Sequence, residues 1–359
     1  MLKSLNEYYL EVIMGTQNNQ PIKEQPKKKR FSILVFFAGM IYIALFLSIS
    51  TPLMLLFGPY ENTRKVFVST LLGTRHAYLL TDFLSQDKIN EILGVNEAAE
   101  ETNEDTVKQS TTDLNKVQVK YTSGNEITRY DIHTDRYDGY VLEIKNPLGV
   151  RVAMTKYLGK MGQKTSEMAE EHNAIAAING GAFVDKSSDG TLYAGTGAVP
   201  GGFVISGGKV IYPNNNINKD NVENVIAFTK GGQLIVGDHT LGELQKLNVQ
   251  EAMCFRRPNI IINGEPQVKD RMADGLNPRT AVGQKEDGTV IFLVIDGRKI
   301  TAPGASLYDV QQIMLDRGAI NAGALDGGYS STMYYKGDVI NSPNAWDGER
   351  SVATAFYVE

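Results

Sequence analysis

The stretch from Phe31 to Phe57 constrains this chain most, because its 27 residues include no charged side chain. As an α-helix it would be about 40 Å long, and a bilayer core needs roughly 20 apolar residues. A core helix would show a polar face, and a signal peptide would have a shorter apolar run with a small-residue cleavage site. Thirty residues precede this stretch, and no such site follows it. We therefore predict a transmembrane anchor at residues 31–57, with Pro52 near its outer end.

The charge on either side of this stretch predicts its orientation. Four consecutive basic residues, Lys27–Arg30, directly precede it, and the charges that follow it are mixed in sign. Positively charged flanking segments stay in the cytoplasm. We therefore expect residues 1–30 to form a cytoplasmic tail and the remainder to be extracellular, with a single pass through the cell membrane.

Net charge and cysteine content exclude several classes of function. Residues 1–30 contain six Lys or Arg and three Asp or Glu, a net of +3, so the formal total of −5 leaves −8 on residues 31–359. This acidic remainder argues against a nucleic-acid partner. With one cysteine, Cys254, and four histidines in the chain, neither an intramolecular disulfide nor a zinc–thiolate site is expected. Asp296 and Asp326 would suit a hard cation, but no spacing demands one, and we predict no metal and no cofactor.

Composition changes twice between the anchor and the rest of the chain. Apolar residues recur at helical spacing towards the end of residues 58–95, where Ser85 is a candidate N-cap, so we predict a helical stalk there. Residues 96–115 are rich in Glu, Asp, Thr and Asn, which is typical of a flexible linker. A globular domain is expected over residues 116–359.

The hydrophobic pattern of this domain predicts a strand-rich fold, because short apolar segments alternate with Gly, Asn and Asp. We predict strands that include Lys116–Lys120, Tyr140–Lys145, Val150–Thr155, Ala174–Ile178, Thr289–Ile295 and Ala322–Leu325. We predict helices at Thr165–His172 and after Ser306, which forms a capping-box pattern with Asp309. The expected fold class is mixed, strand-rich α+β with a few packed helices, preceded by one N-terminal transmembrane helix.

One pattern occurs twice in the domain: a helix, a short apolar strand, a polar residue and two glycines. The polar residue is Asn179 in the first copy and Asp326 in the second. Polar residues at neighbouring strand ends can converge on one cleft, and paired glycines allow close approach of a ligand. Tight turns would explain the same glycines. The pattern favours a site that brings Asn179 and Asp326 together.

Other polar residues also stand at the ends of apolar segments. The planar donors of Arg279 suit a phosphate or carboxylate, although a structural salt bridge would explain it equally well. Asp296 ends a long apolar strand, and its neighbour Arg298 could contact an anion. Hydroxyls and free backbone N–H groups can form a nest for sugar or phosphate, and three hydroxyls follow Gly328, at Ser330, Ser331 and Thr332. A plain Asp-Gly turn is the alternative for that segment.

Five segments in this order resemble the phosphodiester glycosidase family. They are Ala176–Phe183, Asn277–Gly283, Val294–Arg298, Ala324–Met333 and Gly348–Val352. The order and spacing fit from about residue 117 to the end at residue 359, and the chain is most similar to bacterial members linked to exopolysaccharide or cell-wall metabolism. Two positions depart from the family pattern: Tyr329 takes the place of a third glycine, and Ala182 precedes Phe183.

The resemblance implies hydrolysis of a sugar-1-phosphodiester, between the anomeric carbon and the phosphate oxygen, in a cell-envelope glycan or exopolysaccharide. It implies that Arg279 binds the phosphate, that Asp326 acts at the anomeric centre or its water, and that Asp296 is the second carboxylate. The implied substrate-binding residues are Asn179, Gly180, Gly181, Thr280, Arg298, Gly327, Gly328, Ser330, Ser331 and Thr332.

Two alternatives remain open from the sequence. The glycine-rich nest and aromatic rim would also serve a non-catalytic glycan-binding or assembly protein of the cell envelope. A glycosidase of the same fold could act on a different linkage. In each case the expected partners are a glycan or sugar-phosphate polymer and, through one helix, the membrane.

Overall fold

The computed structural model describes residues 33–60, 64, 67–68, 82–93, 112–184, 197–214, 218–256, 258–299, 301–344 and 348–359. The chain forms two compact units, residues 1–57 and 58–359. The predicted cytoplasmic tail and most of the predicted stalk and linker lie outside the described residues.

The first unit contains helix α1, Ile33–Phe57, with Pro52 inside it. Its segment Val35–Met54 is long and apolar enough to cross a membrane, and none of that segment is buried within the protein. This confirms the predicted apolar helix. A signal sequence would share its length and composition.

The second unit is built mainly from strands. Its helices are α2 (Gln86–Leu93), α3 (Thr165–Glu171), α4 (Leu241–Lys246) and α5 (Leu307–Asp316). Its strands are β1 (Ile127–His133), β2 (Asp138–Ile144), β3 (Val150–Met154), β4 (Ala176–Asn179), β5 (Phe183–Val184), β6 (Val199–Pro200), β7 (Val204–Ser206), β8 (Lys209–Tyr212), β9 (Val222–Thr229), β10 (Leu234–Thr240), β11 (Val249–Cys254), β12 (Ile261–Ile262), β13 (Glu265–Pro266), β14 (Arg279–Lys285), β15 (Val290–Ile295), β16 (Ala319–Leu325), β17 (Met333–Tyr335), β18 (Asp338–Val339) and β19 (Thr354–Val358).

These strands form three larger sheets and one short pair. A seven-stranded sheet has the order β1-β2-β15-β14-β16-β12-β13, and two five-stranded sheets have the orders β10-β9-β11-β7-β8 and β18-β17-β4-β19-β3. Strands β5 and β6 pair separately. The strand-rich α+β class predicted from the sequence is confirmed.

The three larger sheets share one hydrophobic core. Phe292 from the seven-stranded sheet and Phe228 and Phe356 from the two five-stranded sheets are buried in it. The rings of Phe228 and Phe356 meet edge to face with centroids 5.7 Å apart, a favourable aromatic geometry. On the opposite face of the seven-stranded sheet, α5 packs through Val310 and Met314. Each sheet therefore has a fixed position relative to the others.

Strand order places three predicted site residues at one edge of the seven-stranded sheet. Strands β15 and β16 both pair antiparallel with β14, so they run in the same direction on either side of it. Asp296 directly follows β15, Asp326 directly follows β16, and Arg279 begins β14 between them. The sheet therefore brings these three positions to a common edge.

Local signals in the sequence mark the helix starts correctly. The Ser306 hydroxyl accepts a hydrogen bond from the backbone N–H of Asp309 at 3.1 Å, which confirms the capping box of α5. The Ser85 hydroxyl accepts from the backbone N–H of Lys88 at 3.3 Å at the start of α2. A helix also forms at Thr165–Glu171, as predicted.

The start of the domain differs from the prediction. The predicted strand at Lys116–Lys120 is wrong: residues Leu114–Lys116 form a 3₁₀ turn. The N–H groups of Gln118 and Lys120 then donate to the turn between β14 and β15 instead of to a strand. Thr112 lies within the predicted linker, yet its hydroxyl donates to the Val236 carbonyl at 3.0 Å. Contacts with the domain therefore reach at least to Thr112.

Candidate active site

A cavity of about 460 Å³ opens at the edge where β14 begins and β16 ends. Six of the residues predicted from the sequence line it: Arg279, Thr280, Arg298, Asp326, Gly327 and Gly328. The other seven do not line it: Asn179, Gly180, Gly181, Asp296, Ser330, Ser331 and Thr332. The predicted site therefore divides into a cavity wall and a layer of support behind it.

The described part of the cavity wall carries a positive charge. Its ionisable residues are four arginines and two aspartates: Arg256, Arg279, Arg298, Arg350, Asp274 and Asp326. Four guanidinium groups against two carboxylates give a formal charge of +2. Such a surface attracts an anionic ligand, and arginine suits phosphate because its donors are planar and paired.

Asp326 is held by its backbone at the cavity wall. Its N–H donates to the Gly180 carbonyl at 3.0 Å, and its carbonyl accepts from the Asn179 side-chain amide at 2.6 Å. The two copies of the repeated pattern are thus bonded to each other, although β4 and β16 belong to different sheets. The convergence expected from the sequence is present, and it fixes the Asp326 main chain.

Asn179 is fully buried and uses its side chain entirely for support. Besides donating to Asp326, its side-chain oxygen accepts from the Thr280 hydroxyl at 2.7 Å and from the Thr332 N–H at 3.1 Å. One amide therefore joins the ends of three segments. The group does not line the cavity, and its predicted contact with a ligand stays a prediction.

The glycines that follow Asn179 approach protein backbone instead of the cavity. The N–H of Gly180 donates to the Thr354 carbonyl at 2.8 Å, and that of Gly181 donates to the Thr354 hydroxyl at 3.1 Å. A Cβ on Gly180 would lie 2.7 Å from the Thr354 carbonyl oxygen, which is too close for any side chain. Gly180 is therefore required for close packing against Thr354 of β19, and Gly181 for close packing against the Cys254 carbonyl of β11.

Arg279 is buried and held by protein groups. Its Nε donates to the Ala305 carbonyl at 2.8 Å, and its Nη2 donates to the carbonyls of Asp274 and Gly275, each at 2.7 Å. Its Nη1 donates to the Asp274 carboxylate. Four hydrogen bonds to the protein leave the guanidinium little capacity for a ligand, so the structural reading of Arg279 gains support over the phosphate-binding one.

Arg298 is held differently, by one side-chain amide and one ring. Its Nε and Nη2 both lie 3.3 Å from the Asn277 side-chain oxygen, and its guanidinium stands 4.3 Å from the Tyr329 ring centroid. A Cβ on Gly328 would lie 2.9 Å from Nη2, so the glycine makes room for this group. Burial lowers the pKa of Arg298, while Tyr329 and Asp326 act to raise it. An arginine remains charged throughout the physiological range.

Asp296 lies behind the cavity wall and is almost fully buried. Its carboxylate accepts from the Asn341 amide at 2.9 Å and from the Ser342 N–H at 3.0 Å. The same Asn341 amide donates to the Ser331 carbonyl at 3.0 Å. Burial raises the pKa of Asp296 against the opposing effect of these hydrogen bonds. Its contacts tie the segment after β16 in place, and its expected role as the second catalytic carboxylate stays a prediction.

The three hydroxyl residues that were predicted to form a nest are also buried. The hydroxyls of Ser330, Ser331 and Thr332 are buried and have no hydrogen-bond partner among the described residues. None of the three residues lines the cavity. The expected contacts of these hydroxyls with a ligand therefore remain a prediction.

Sequence reasoning missed several residues of the cavity wall. Arg350 lies in one of the quoted family segments, and its guanidinium stands 4.7 Å from the Phe183 ring centroid. Its neighbour Glu349 accepts hydrogen bonds from the N–H and the hydroxyl of Ser166 at the start of α3. These bonds attach the backbone next to Arg350 to the start of α3. No local pattern marked Asp274, because it lies in a turn.

Nucleophilic thiol chemistry does not fit this site. The Cys254 thiol is buried, and burial raises its pKa to about 12. A thiolate is therefore not formed near neutral pH. Among the described residues, no group of three or more His, Cys, Asp or Glu side chains is arranged to hold a metal ion.

Comparison with known proteins identifies relatives of this domain. The phosphodiester glycosidase family model matches residues 172–359. The SPbeta prophage-derived uncharacterized protein YomE of Bacillus subtilis (strain 168) is 41% identical over 83 residues, 23% of this chain and 13% of that protein. The N-acetylglucosamine-1-phosphodiester alpha-N-acetylglucosaminidase of Bos taurus is 30% identical over 95 residues, 25% of this chain and 18% of that protein. The chain thus matches less than a fifth of the length of either relative.

A solved structure shares the fold. The zebrafish N-acetylglucosamine-1-phosphodiester alpha-N-acetylglucosaminidase catalytic domain, auto-inhibited by its pro-peptide, matches with a TM-score of 0.54 at 20% identity. The match covers 68% of this chain and 86% of that chain. The family model spans just over half of the 359 residues and includes Asn179 and Asp326 with the glycine pairs that follow them. The chain belongs to the phosphodiester glycosidase family.

Proposed function

We propose that this chain hydrolyses a sugar-1-phosphodiester at the bond between the anomeric carbon and the phosphate oxygen. The observation that carries the proposal is the cavity itself, where Asp326 shares a wall with four arginines. A carboxylate suits the positive charge that develops at an anomeric carbon, and guanidinium groups suit the phosphate that leaves.

Asp326 is the proposed reactive carboxylate. It ends β16, and two hydrogen bonds from Asn179 and to Gly180 fix its backbone, so its side chain leaves the sheet at a defined point. The other carboxylate of the described wall, Asp274, is ion-paired with Arg256 and Arg279. Asp326 would stabilise the oxocarbenium-like transition state. It would either orient the water that attacks the anomeric carbon or itself form the bond that replaces the bond to phosphate.

Arg298 is the proposed phosphate-binding residue in place of Arg279. The Tyr329 ring and the Asn277 amide hold its guanidinium plane beside Gly327 and Gly328. A guanidinium held in this way loses little conformational freedom when it binds an anion. Arg279 supports the wall through its contacts with Asp274.

The chemistry of the leaving group explains why one carboxylate suffices. A phosphate monoester is far less basic than an alcohol, so its departure needs less protonation than that of an ordinary glycoside. Contacts from cationic groups and N–H donors to the phosphate oxygens supply the stabilisation instead. The four arginines of the described cavity wall supply the cationic groups.

We place the domain outside the cell on a membrane anchor, acting on a cell-envelope glycan or exopolysaccharide. The apolar helix α1 and the basic residues Lys27–Arg30 that precede it support this arrangement. The domain would then reach membrane-proximal polymers through residues 58–115. A tag at residue 359 should be digested by protease added to intact cells, while a tag at residue 1 stays protected. Protection of both tags would contradict this topology.

The proposal is tested by comparing two substrates with the same sugar. Full-length protein in detergent is assayed on a sugar-1-phosphodiester and on an aryl glycoside, as wild type and as Arg298→Gln. We expect Arg298→Gln to lower kcat/KM on the phosphodiester about 100-fold, with a much smaller effect on the aryl glycoside, because only the first substrate carries the phosphate.

Arg317→Gln is the matched control. Arg317 also stands over a tyrosine, 4.5 Å from the Tyr130 ring centroid, but it lies outside the cavity. Equal losses on both substrates in Arg298→Gln would remove its phosphate role. Binding of phosphodiesters without release of sugar or phosphate, across a panel of sugars, would favour the non-catalytic glycan-binding alternative.

A further inference from the structure

The cavity wall combines arginine with aromatic rings three times. Each guanidinium carbon stands within 6 Å of a ring centroid, at 4.3 Å for Arg298 over Tyr329, 4.7 Å for Arg350 over Phe183 and 5.8 Å for Arg256 over Phe255. All six residues line the same cavity. The proposed cleavage of one phosphodiester gives a role to the first pair and leaves the other two unexplained.

The charge of the cavity wall indicates which ligand groups the Arg350–Phe183 and Arg256–Phe255 pairs could bind. The described wall has a formal charge of +2, whereas one phosphodiester brings a charge of −1. The occupied cavity would therefore keep a positive charge, which favours a ligand with a second anionic group. The aromatic faces also suit the apolar faces of sugar rings, so the wall fits a ligand in which sugars and anions alternate.

Arg256 is placed to meet the second anion. Its side chain is 67% exposed, against 7% for Arg279, and both arginines bond to the same Asp274 carboxylate. Its Nη2 donates to the Asp274 carboxylate at 2.9 Å, which is the one hydrogen bond that the Arg256 side chain makes with the described residues. The guanidinium carbon stands 5.8 Å from the Phe255 ring centroid, and its remaining N–H groups can donate to an anion in a bidentate manner.

We propose that Arg256 and Phe255 form a second anion subsite, so that the preferred substrate carries a further phosphate or carboxylate beyond the scissile phosphodiester. This inference rests on the proposed function for the position of the first phosphate. It makes the substrate class a polyanionic glycan instead of a glycan with a single phosphate.

The experiment measures binding, so that it does not depend on turnover. Three non-hydrolysable phosphonate analogues of an N-acetylglucosamine-1-phosphodiester are titrated calorimetrically into full-length protein in detergent. One analogue ends in a neutral glycerol, one carries a second methyl-capped phosphodiester on that glycerol, and one carries a carboxylate there. We expect the doubly charged analogues to bind about five- to tenfold more tightly than the neutral-ended one, with the effect limited by the exposure of Arg256.

Arg256→Gln should bring that ratio close to one. Arg271→Gln is the matched control, because Arg271 is exposed and stands at the same distance, 5.8 Å, over the Tyr308 ring but lies outside the cavity. The control should keep the wild-type ratio. The ratio in wild type should also fall with added salt, because exposed charges are screened.

The outcomes separate this inference from the proposed function. Preference for the phosphate-ended or the carboxylate-ended analogue, lost in Arg256→Gln, supports the subsite and identifies the second anion. Equal binding of all three analogues overturns the subsite and leaves hydrolysis of simple phosphodiesters untouched. A preference that survives in Arg256→Gln also overturns it. Failure to turn over any phosphodiester would contradict the proposed function while the binding ratio still decides the subsite.

Discussion

The segments at Asn179 and Asp326 have the same sequence pattern but different roles. Asn179 ends the buried strand β4, Asp326 directly follows the buried strand β16, and each precedes two glycines. Asn179 is completely buried with all of its amide contacts inside the protein, whereas Asp326 lines the cavity. The difference arises from what lies beyond each glycine pair. Gly180 and Gly181 pack on Thr354 of β19, while Gly327 and Gly328 form the cavity wall beside Arg298.

This difference shows that a polar residue at a strand end can serve either the ligand or the fold. The first segment holds the backbone of the second through the bonds between Asn179, Gly180 and Asp326. We therefore expect changes at Asp326 to affect rate more than stability, and changes at Asn179 to affect stability and rate together. Three variants test this division.

The largest effect is expected from Asp326→Asn. Loss of the negative charge at the anomeric centre should lower kcat on a sugar-1-phosphodiester by at least ~10³-fold, about 4 kcal/mol of barrier. The unfolding midpoint in urea should change less than in Asn179→Ala, because Asp326→Asn keeps the two backbone hydrogen bonds at residue 326. Asp338→Asn, at an exposed aspartate in β18, is the control and should keep full activity. Full activity in folded Asp326→Asn would rule out its proposed role.

Asn179→Ala should lower both the free energy of unfolding and kcat, with a loss of kcat smaller than that of Asp326→Asn. It removes three buried hydrogen bonds and leaves their partners unsatisfied, so the free energy of unfolding should fall by about 2–4 kcal/mol. The kcat of the folded fraction should fall too, because Asp326 loses its support. Asn321→Ala removes an equally buried asparagine on β16, outside the cavity, and should lower stability without lowering kcat. Equal kcat in both variants would show that Asn179 does not position Asp326.

Asp296→Asn should have the smallest effect, because an amide can keep the contacts with Asn341 and Ser342. We expect kcat to stay within about tenfold of wild type. A loss as large as that of Asp326→Asn would restore Asp296 as the second catalytic carboxylate.

The pH dependence of stability tests the same residue. Burial raises the pKa of Asp296 in the folded state, so the folded protein binds this proton more tightly than the unfolded chain does. The stabilisation is present below the unfolded-state pKa and is lost as the pH rises through the raised value. The free energy of unfolding in urea should therefore be compared between wild type and Asp296→Asn. The stability of wild type relative to the variant should fall as the pH rises from 4. A difference that grows with pH would mean that the ionised carboxylate is the favoured form.

The sequence predicted the parts of the fold that depend on local patterns. The capping box at Ser306, the cap at Ser85 and the apolar strand before Asp296 follow from short-range periodicity and hydrogen bonding, and all are present. The segment Lys116–Lys120 was predicted as a strand because its apolar and polar residues alternate. Its N–H groups pair with a distant turn, which no local pattern reveals.

The site was predictable in its position more than in its roles. The repeated pattern indicated that Asn179 and Asp326 lie together, and they are bonded to each other although their strands belong to different sheets. Whether an arginine meets a ligand depends on how many protein acceptors surround it. Four acceptors surround Arg279, and they come from the turn at residues 274–275 and from Ala305. These acceptors lie outside the segment Asn277–Gly283, so they could not be placed from that motif alone.

The bond that is cleaved can be determined directly by hydrolysis in water enriched in ¹⁸O. Full-length protein is incubated with a sugar-1-phosphodiester, and the released sugar and phosphate monoester are analysed by mass spectrometry. Attack at the anomeric carbon, assisted by Asp326, should place one ¹⁸O in the anomeric hydroxyl and none in the phosphate. Label in the phosphate would mean that the P–O bond is cleaved, and would contradict a glycosidase mechanism at this cavity.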